Sequence, residues 1–249
     1  MSATARIAAR ATAASPLRRG LIVALLGPDG AGKTTLAEGL TREGSLRARR
    51  VYLGTNRAAG DVLAVHAWAS RRRDARGGGA LGALTRPALR AFAFLTHIAE
   101  QRYRHLVALA HRARGGVVVF DRYALDLDVN VALGRTPAGW RRRLRDWLLH
   151  AGAPRPDLVL VLDAPGAVLH ARKGEHSPER LEAMRHAYAG LQARHPGVVL
   201  VDAARGADVV LQTAVALLGA HRAASHRAAS HRSVSQHVAA ARRFTKGTP

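Results

Sequence analysis

Short, unbroken apolar runs alternate with longer stretches of helical periodicity along this chain. LIVALL (21–26), GVVVF (116–120), LVLVL (158–162) and GVVLV (197–201) contain no charged or hydroxyl side chain, and RVYLG (50–54) is a weaker fifth run. Runs of that length without polar alternation are expected of strands buried on both faces of a parallel sheet. Apolar positions at helical spacing predict helices over about 33–43, 61–74, 86–113, 138–150, 178–194 and 206–220. Strands that alternate with helices imply a doubly wound α/β domain: a five-stranded parallel sheet flanked by helices, spanning 20–220. RGGGALGAL (76–84) reads as a mobile loop within it. In such a domain ligands gather at the carboxyl ends of the strands.

The ends of the chain read differently. Residues 1–19 are rich in Ala, Ser and Arg without an apolar face. They are expected to be an unstructured basic extension, whose composition also resembles a transit peptide. HRAASHRAASHRSVSQ (221–236) repeats with a period of five, which matches no solenoid unit, and residues 221–249 read as a basic low-complexity tail. Composition changes the picture in two ways. The formal charge is +22, but ten of the 39 basic residues and none of the 17 acids lie in residues 1–20 and 221–249. A charge set in the tails favours solvation over a nucleic-acid interface, which is expected only through those tails. There is no cysteine and no apolar run near the length of a membrane span, so a cytoplasmic protein without membrane contact is expected.

The chemistry centres on GPDGAGKTT (27–35), set between the first strand and the first helix. It fits G-x-x-x-x-G-K-[ST] from Gly27 to Thr34. Glycines at 27, 30 and 32 let backbone amides wrap a phosphate, and the following helix adds the positive end of its dipole. The stretch Gly27, Asp29, Gly30, Ala31, Gly32, Lys33, Thr34 and Thr35 is therefore expected to hold the phosphates of ATP. Lys33 would reach the β- and γ-phosphates, and the Thr34 hydroxyl would ligate Mg²⁺. Only Lys33, Lys173 and Lys246 are lysines in a chain that otherwise uses arginine. Where a compact point charge is the chemical requirement, lysine has been kept.

Two further strand ends carry chemistry. GVVVF leads into Asp121, Arg122 and Tyr123; the acid is placed to hold Mg²⁺ through water and the arginine to grip a second phosphate. A plain strand-end ion pair of Asp121 with Arg122 is the alternative. LVLVL ends in Asp163, and the next helix brings Arg172 and Lys173 before GEHSPERLE, a polar segment suited to a lid at about 172–180. Cations on a lid would offset the charge of a transferring phosphoryl group. Asp126 and Asp128 either approach the acceptor or Mg²⁺, or are solvated loop carboxylates. Trp140 and Trp147, seven apart, share a helix face and read as packing residues. The scattered histidines give no metal site beyond Mg²⁺.

The loop GPDGAGKTT, the DRY after the third strand and PDLVLVLDAP followed by an arginine nine residues beyond Asp163 resemble the thymidylate kinase-like family of P-loop nucleoside monophosphate kinases over about residues 20–215. The resemblance implies a P-loop NTPase fold with a lid, and transfer of the ATP γ-phosphoryl group, with Mg²⁺, to a nucleoside monophosphate or a similar small phosphorylated acceptor. It implies that Asp29 approaches the acceptor sugar. Arg122 would bind the acceptor phosphate with Asp121 and Tyr123 beside it, and Arg102 would lie near the acceptor base. The backbone from Ala203 to Arg205 would border adenine. Family members with a catalytic arginine inside the loop place it where this chain has Gly30, so Arg172, Lys173 or Arg180 of the lid would supply that charge. Ile98 and Val131 stand where thymidylate enzymes have an aromatic ring and a polar base contact, and Arg57 in LGTNRAAG is left to meet an acceptor phosphate. Two readings stand beside this one: a P-loop kinase for a nucleoside, sugar or other metabolite, and a nucleotide-dependent polyanion-binding protein. A homodimer is compatible with the leading reading.

Overall fold

The computed structural model describes residues 20–52, 80–121, 123, 125–134, 139, 144, 147–148, 152–195 and 197–245. Five strands, β1 (Leu21–Leu26), β2 (Ala48–Tyr52), β3 (Val117–Asp121), β4 (Leu158–Asp163) and β5 (Val198–Asp202), form one sheet in the order β2-β3-β1-β4-β5. Every pairing is parallel. β1 and β3 are buried at every position, which is why they read as unbroken apolar runs. β2 lies at an edge and starts two residues before the expected RVYLG, because Ala48 and Arg49 pair with Val117 and Val118. Two arginines make the first half of this edge strand polar in sequence, so hydropathy alone conceals it.

Helices pack on this sheet in the order α1 (Lys33–Arg42), α2 (Ala80–Ala113), α3 (Leu125–Ala132), α4 (Gly166–Lys173), α5 (Pro178–Ala189), α6 (Leu191–Arg194) and α7 (Ala207–Thr245). α1 buries Leu36, Ala37 and Leu40. α2 begins at Ala80, so the second half of the expected loop at 76–84 is helical; residues 76–79 and the expected helix at 61–74 lie outside the described residues. Gly190 separates the expected 178–194 helix into α5 and α6. α7 continues to Thr245 instead of ending at 220, through a stretch dense in alanine and free of proline, the composition with the lowest cost for helix extension. None of the described helices is long and apolar enough to cross a membrane.

The amino ends of the central strands are tied by one carboxylate. Asp157 accepts from the buried Ile22 amide at 2.8 Å through Oδ2 and from Arg112 Nη2 at 2.8 Å through Oδ1. Arg112 Nε also donates to Gly20 O at 3.3 Å. β1, β4 and α2 are thus joined at the edge of the sheet opposite the phosphate loop. Asp157→Ala strands the Ile22 amide and is expected to lower stability by about 1–3 kcal/mol in chemical denaturation, while nucleotide affinity, measured by calorimetry, stays as in the wild type.

Candidate active site

The loop between β1 and α1 takes its shape from two glycines. Gly32 is the residue before α1, with φ 89° and ψ 17°, and no side chain caps the helix behind it. The first turn of α1 holds no acid, so its free amides present an uncompensated positive end. Gly30 sits at φ 84°, and a Cβ there would lie 2.7 Å from the Leu169 carbonyl oxygen of α4. α4 therefore seats the loop, and only a residue without a side chain fits the seat.

Lys33 Nζ donates to the carbonyl oxygens of Gly27 and Pro28, each at 2.7 Å, folding the side chain across the loop. Thr34 Oγ1 lies 3.4 Å from Oδ2 of Asp121, which is 3% exposed at the end of β3. The same Oδ2 accepts from Arg50 Nη2 at 2.7 Å. Hydroxyl and carboxylate oxygens side by side are a hard donor set suited to Mg²⁺. Among the described residues no group of three or more His, Cys, Asp or Glu could hold a metal by itself.

A cavity of about 1010 Å³ opens over the loop. It is lined by every residue from Asp29 to Thr35, and by Asp121, Arg172, Lys173, Ala203 and Arg205. Most of the expected nucleotide residues are thereby brought together. Six cations line it, Lys33, Arg42, Arg50, Arg172, Lys173 and Arg205, against three acids, Asp29, Asp121 and Asp208, a balance that favours a polyanionic ligand. Arg172 donates to the carbonyl oxygens of Ala203 at 2.8 Å and Ala204 at 3.4 Å, and so joins α4 to the turn after β5. Arg205 Nε closes that turn on Asp202 at 2.9 Å. Asp163 holds Arg185 through both oxygens, at 2.7 and 3.0 Å, which docks α5 on the end of β4.

The segment expected as a lid is a tight connection. α4 ends at Gly174 in the left-handed region, and the Ser177 hydroxyl caps α5 by accepting from the Arg180 amide at 3.4 Å. His176 Nε2 reaches within 3.8 Å of Asp29 Oδ2, and Lys173 pairs with Glu175 at 3.0 Å.

The acceptor residues are less complete. Arg57 and Arg122 lie outside the described residues. Arg102 Nη2 donates to Leu148 O at 2.9 Å and does not line the cavity. Tyr123 stacks on Phe120 at 5.9 Å between ring centroids and donates its hydroxyl to Pro154 O at 3.1 Å. Burial pushes its phenol up, against the opposing pull of Arg155. Asp126 and Asp128 stand on α3, not on a loop: Asp126 accepts from the Tyr188 hydroxyl at 2.8 Å, and Asp128 lies 3.2 Å from His195 Nε2. Trp147 is 63% exposed, against the expected packing role, and Trp140 lies outside the described residues. Sequence reasoning does not single out Arg50, the second of two arginines in β2, which lines the cavity.

A parallel five-stranded sheet, a glycine loop leading into an uncapped helix and a Thr–Asp pair beside it define a P-loop phosphotransferase. No family model matches the chain. Individual relatives do. It is 33% identical over 210 residues to a thymidylate kinase of Xanthomonas oryzae pv. oryzae, covering 80% of this chain and 83% of the relative. It is 33% identical over 211 residues to a thymidylate kinase of Xanthomonas campestris pv. campestris, with the same coverage. A thymidylate kinase of Xylella fastidiosa is 30% identical over 210 residues, covering 80% of this chain and 90% of the relative. The chain belongs to the thymidylate kinase family and is a nucleotide kinase.

Gly30→Ala is expected to force the loop off the Leu169 carbonyl. A loss of roughly 1–3 kcal/mol in denaturation should accompany a weaker affinity for ATP in calorimetry; unchanged values for both would contradict the seating.

Proposed function

We propose that the protein transfers the γ-phosphoryl group of ATP, with Mg²⁺, to a nucleoside monophosphate. The observation that carries this reading is the approach of Thr34 Oγ1 to Asp121 Oδ2 at 3.4 Å, beneath an uncapped helix start and beside Lys33. Phosphoryl transfer asks the protein for positioning and charge compensation more than for covalent chemistry. The α1 amides and Lys33 would hold the β- and γ-phosphates. Thr34 and Asp121 would hold Mg²⁺, which neutralises charge on the bridging phosphate oxygens when bound. The turn of Ala203 to Arg205, clamped by Arg172, would border the adenine. Asp29 would face the acceptor sugar, and Arg57, Arg122 and Tyr123 the acceptor side. Thymidylate is the first acceptor to try, because the relatives carry that name; Ile98 and the Val131 position support a wider choice of base.

A second copy of the chain is the partner this reading includes. Phe92, Leu95, Leu106 and Leu109 are exposed along α2 at intervals of three and eleven or fourteen residues, a spacing that keeps them on one face. Exposed Leu144 and Trp147 extend the apolar surface, and Arg102 ties that segment to α2 through Leu148. An apolar stripe of this kind suits a helix-on-helix contact between two protomers.

A coupled assay with ATP, Mg²⁺ and a panel of nucleoside monophosphates tests the activity. At least one acceptor should stimulate ADP formation, and Lys33→Ala should lower the rate by about 100-fold or more. ADP formation that no acceptor stimulates and that survives Lys33→Ala would overturn the reading. For the dimer, sedimentation should give twice the chain mass for the wild type and the single-chain mass for Leu95→Asp/Leu106→Asp; a monomeric wild type would remove it.

A further inference from the structure

The phosphate loop lacks a cation that a side chain at position 30 could have supplied, and its geometry excludes one. Gly30 has φ 84° and a carbonyl oxygen 2.7 Å from where a Cβ would stand. The cavity carries an unassigned arginine on its other wall. Arg50 is on β2 opposite Val119, two positions before the strand end where Tyr52 faces Asp121. Its Nη2 donates to Asp121 Oδ2 at 2.7 Å, the oxygen that Thr34 Oγ1 also approaches. Its Nη1 is 3.8 Å from Glu38 Oε1, and its Nε is buried without a hydrogen-bond partner among the described residues.

A carboxylate as buried as Asp121 needs a cationic partner, and the Arg50 guanidinium supplies it. Arg50 lines the cavity with Lys33 and Thr34, and its Nε makes no hydrogen bond among the described residues, so the guanidinium is not saturated where it stands. Five donors in a planar fork match two oxygens of a phosphoryl group. A charge that is stored on the metal-binding acid is also well placed to leave it once that acid gains another cation.

We propose that Arg50 turns from Asp121 onto the terminal phosphoryl group of the bound nucleoside triphosphate and compensates its charge during transfer. The role rests on the proposed nucleotide kinase reading. It makes Arg50 selective for the triphosphate, since a diphosphate has no group at that position.

Calorimetry with ADP and with the β,γ-imido analogue of ATP, each with Mg²⁺, tests this on the wild type, Arg50→Met and Arg50→Lys. Arg50→Met should weaken the triphosphate analogue by about tenfold or more, the loss of a charge-assisted hydrogen bond, and leave ADP within about twofold. Arg50→Lys should fall between it and the wild type, and serves alone if the methionine variant does not fold. Equal losses for both nucleotides, or no loss, would overturn the role of Arg50 while leaving the kinase reading in place. A wild type that binds neither nucleotide would overturn both.

Discussion

The carboxylate of Asp121 stands at the carboxyl end of β3, almost wholly buried, and one of its oxygens receives both the Thr34 hydroxyl and the Arg50 guanidinium. That convergence joins three elements. Thr34 is in the first turn of α1, Arg50 is on the edge strand β2, and Asp121 is held by a strand that pairs on both sides. A buried charge without partners costs several kcal/mol. The cavity is cationic at this corner, and a cationic corner beside free helix amides suits the phosphate chain proposed to bind there.

The loop itself is placed by contacts from the other half of the sheet. Gly30 rests on the Leu169 carbonyl of α4, whose end is tied through Arg172 to the turn after β5. The same tie sets the wall where adenine is proposed to lie. One packing arrangement thus fixes the loop and denies it a side chain at position 30, so the charge compensation proposed for the site would come from residues on other strands and helices. Asp157 holds the opposite end of β1 and β4, so the strand that carries the loop is anchored away from the chemistry.

Much of this was legible in the chain. β1, β3 and β4 are apolar at nearly every position because both of their faces are covered, and the phosphate loop is legible because glycines at 30 and 32 encode a backbone conformation directly. What escaped depends on contacts distant in sequence. Arg50 meets Asp121 across 71 residues, and nothing local marks it. Arg102, which the resemblance places near the acceptor base, donates to Leu148 O, 46 residues away, a contact that nothing local marks. LDLDVNVA reads as polar loop, but Asp126 and Asp128 find Tyr188 and His195 on neighbouring elements and the segment is helical. The edge strand β2 and the long α7 show the limits of hydropathy in another way: arginine stems conceal a strand, and alanine continues a helix without an apolar face.

The cavity over Gly30 and Lys33 is proposed to hold the donor nucleotide with its terminal phosphate directed at Asp121 and Arg50. A crystal structure with adenosine joined to a nucleoside through five phosphates tests it most directly. Adenosine should lie against the turn of Ala203 to Arg205, with the phosphate chain in the loop and the Arg50 guanidinium on a phosphate oxygen in place of Asp121. Adenosine bound elsewhere, or a phosphate chain that bypasses the loop, would contradict it.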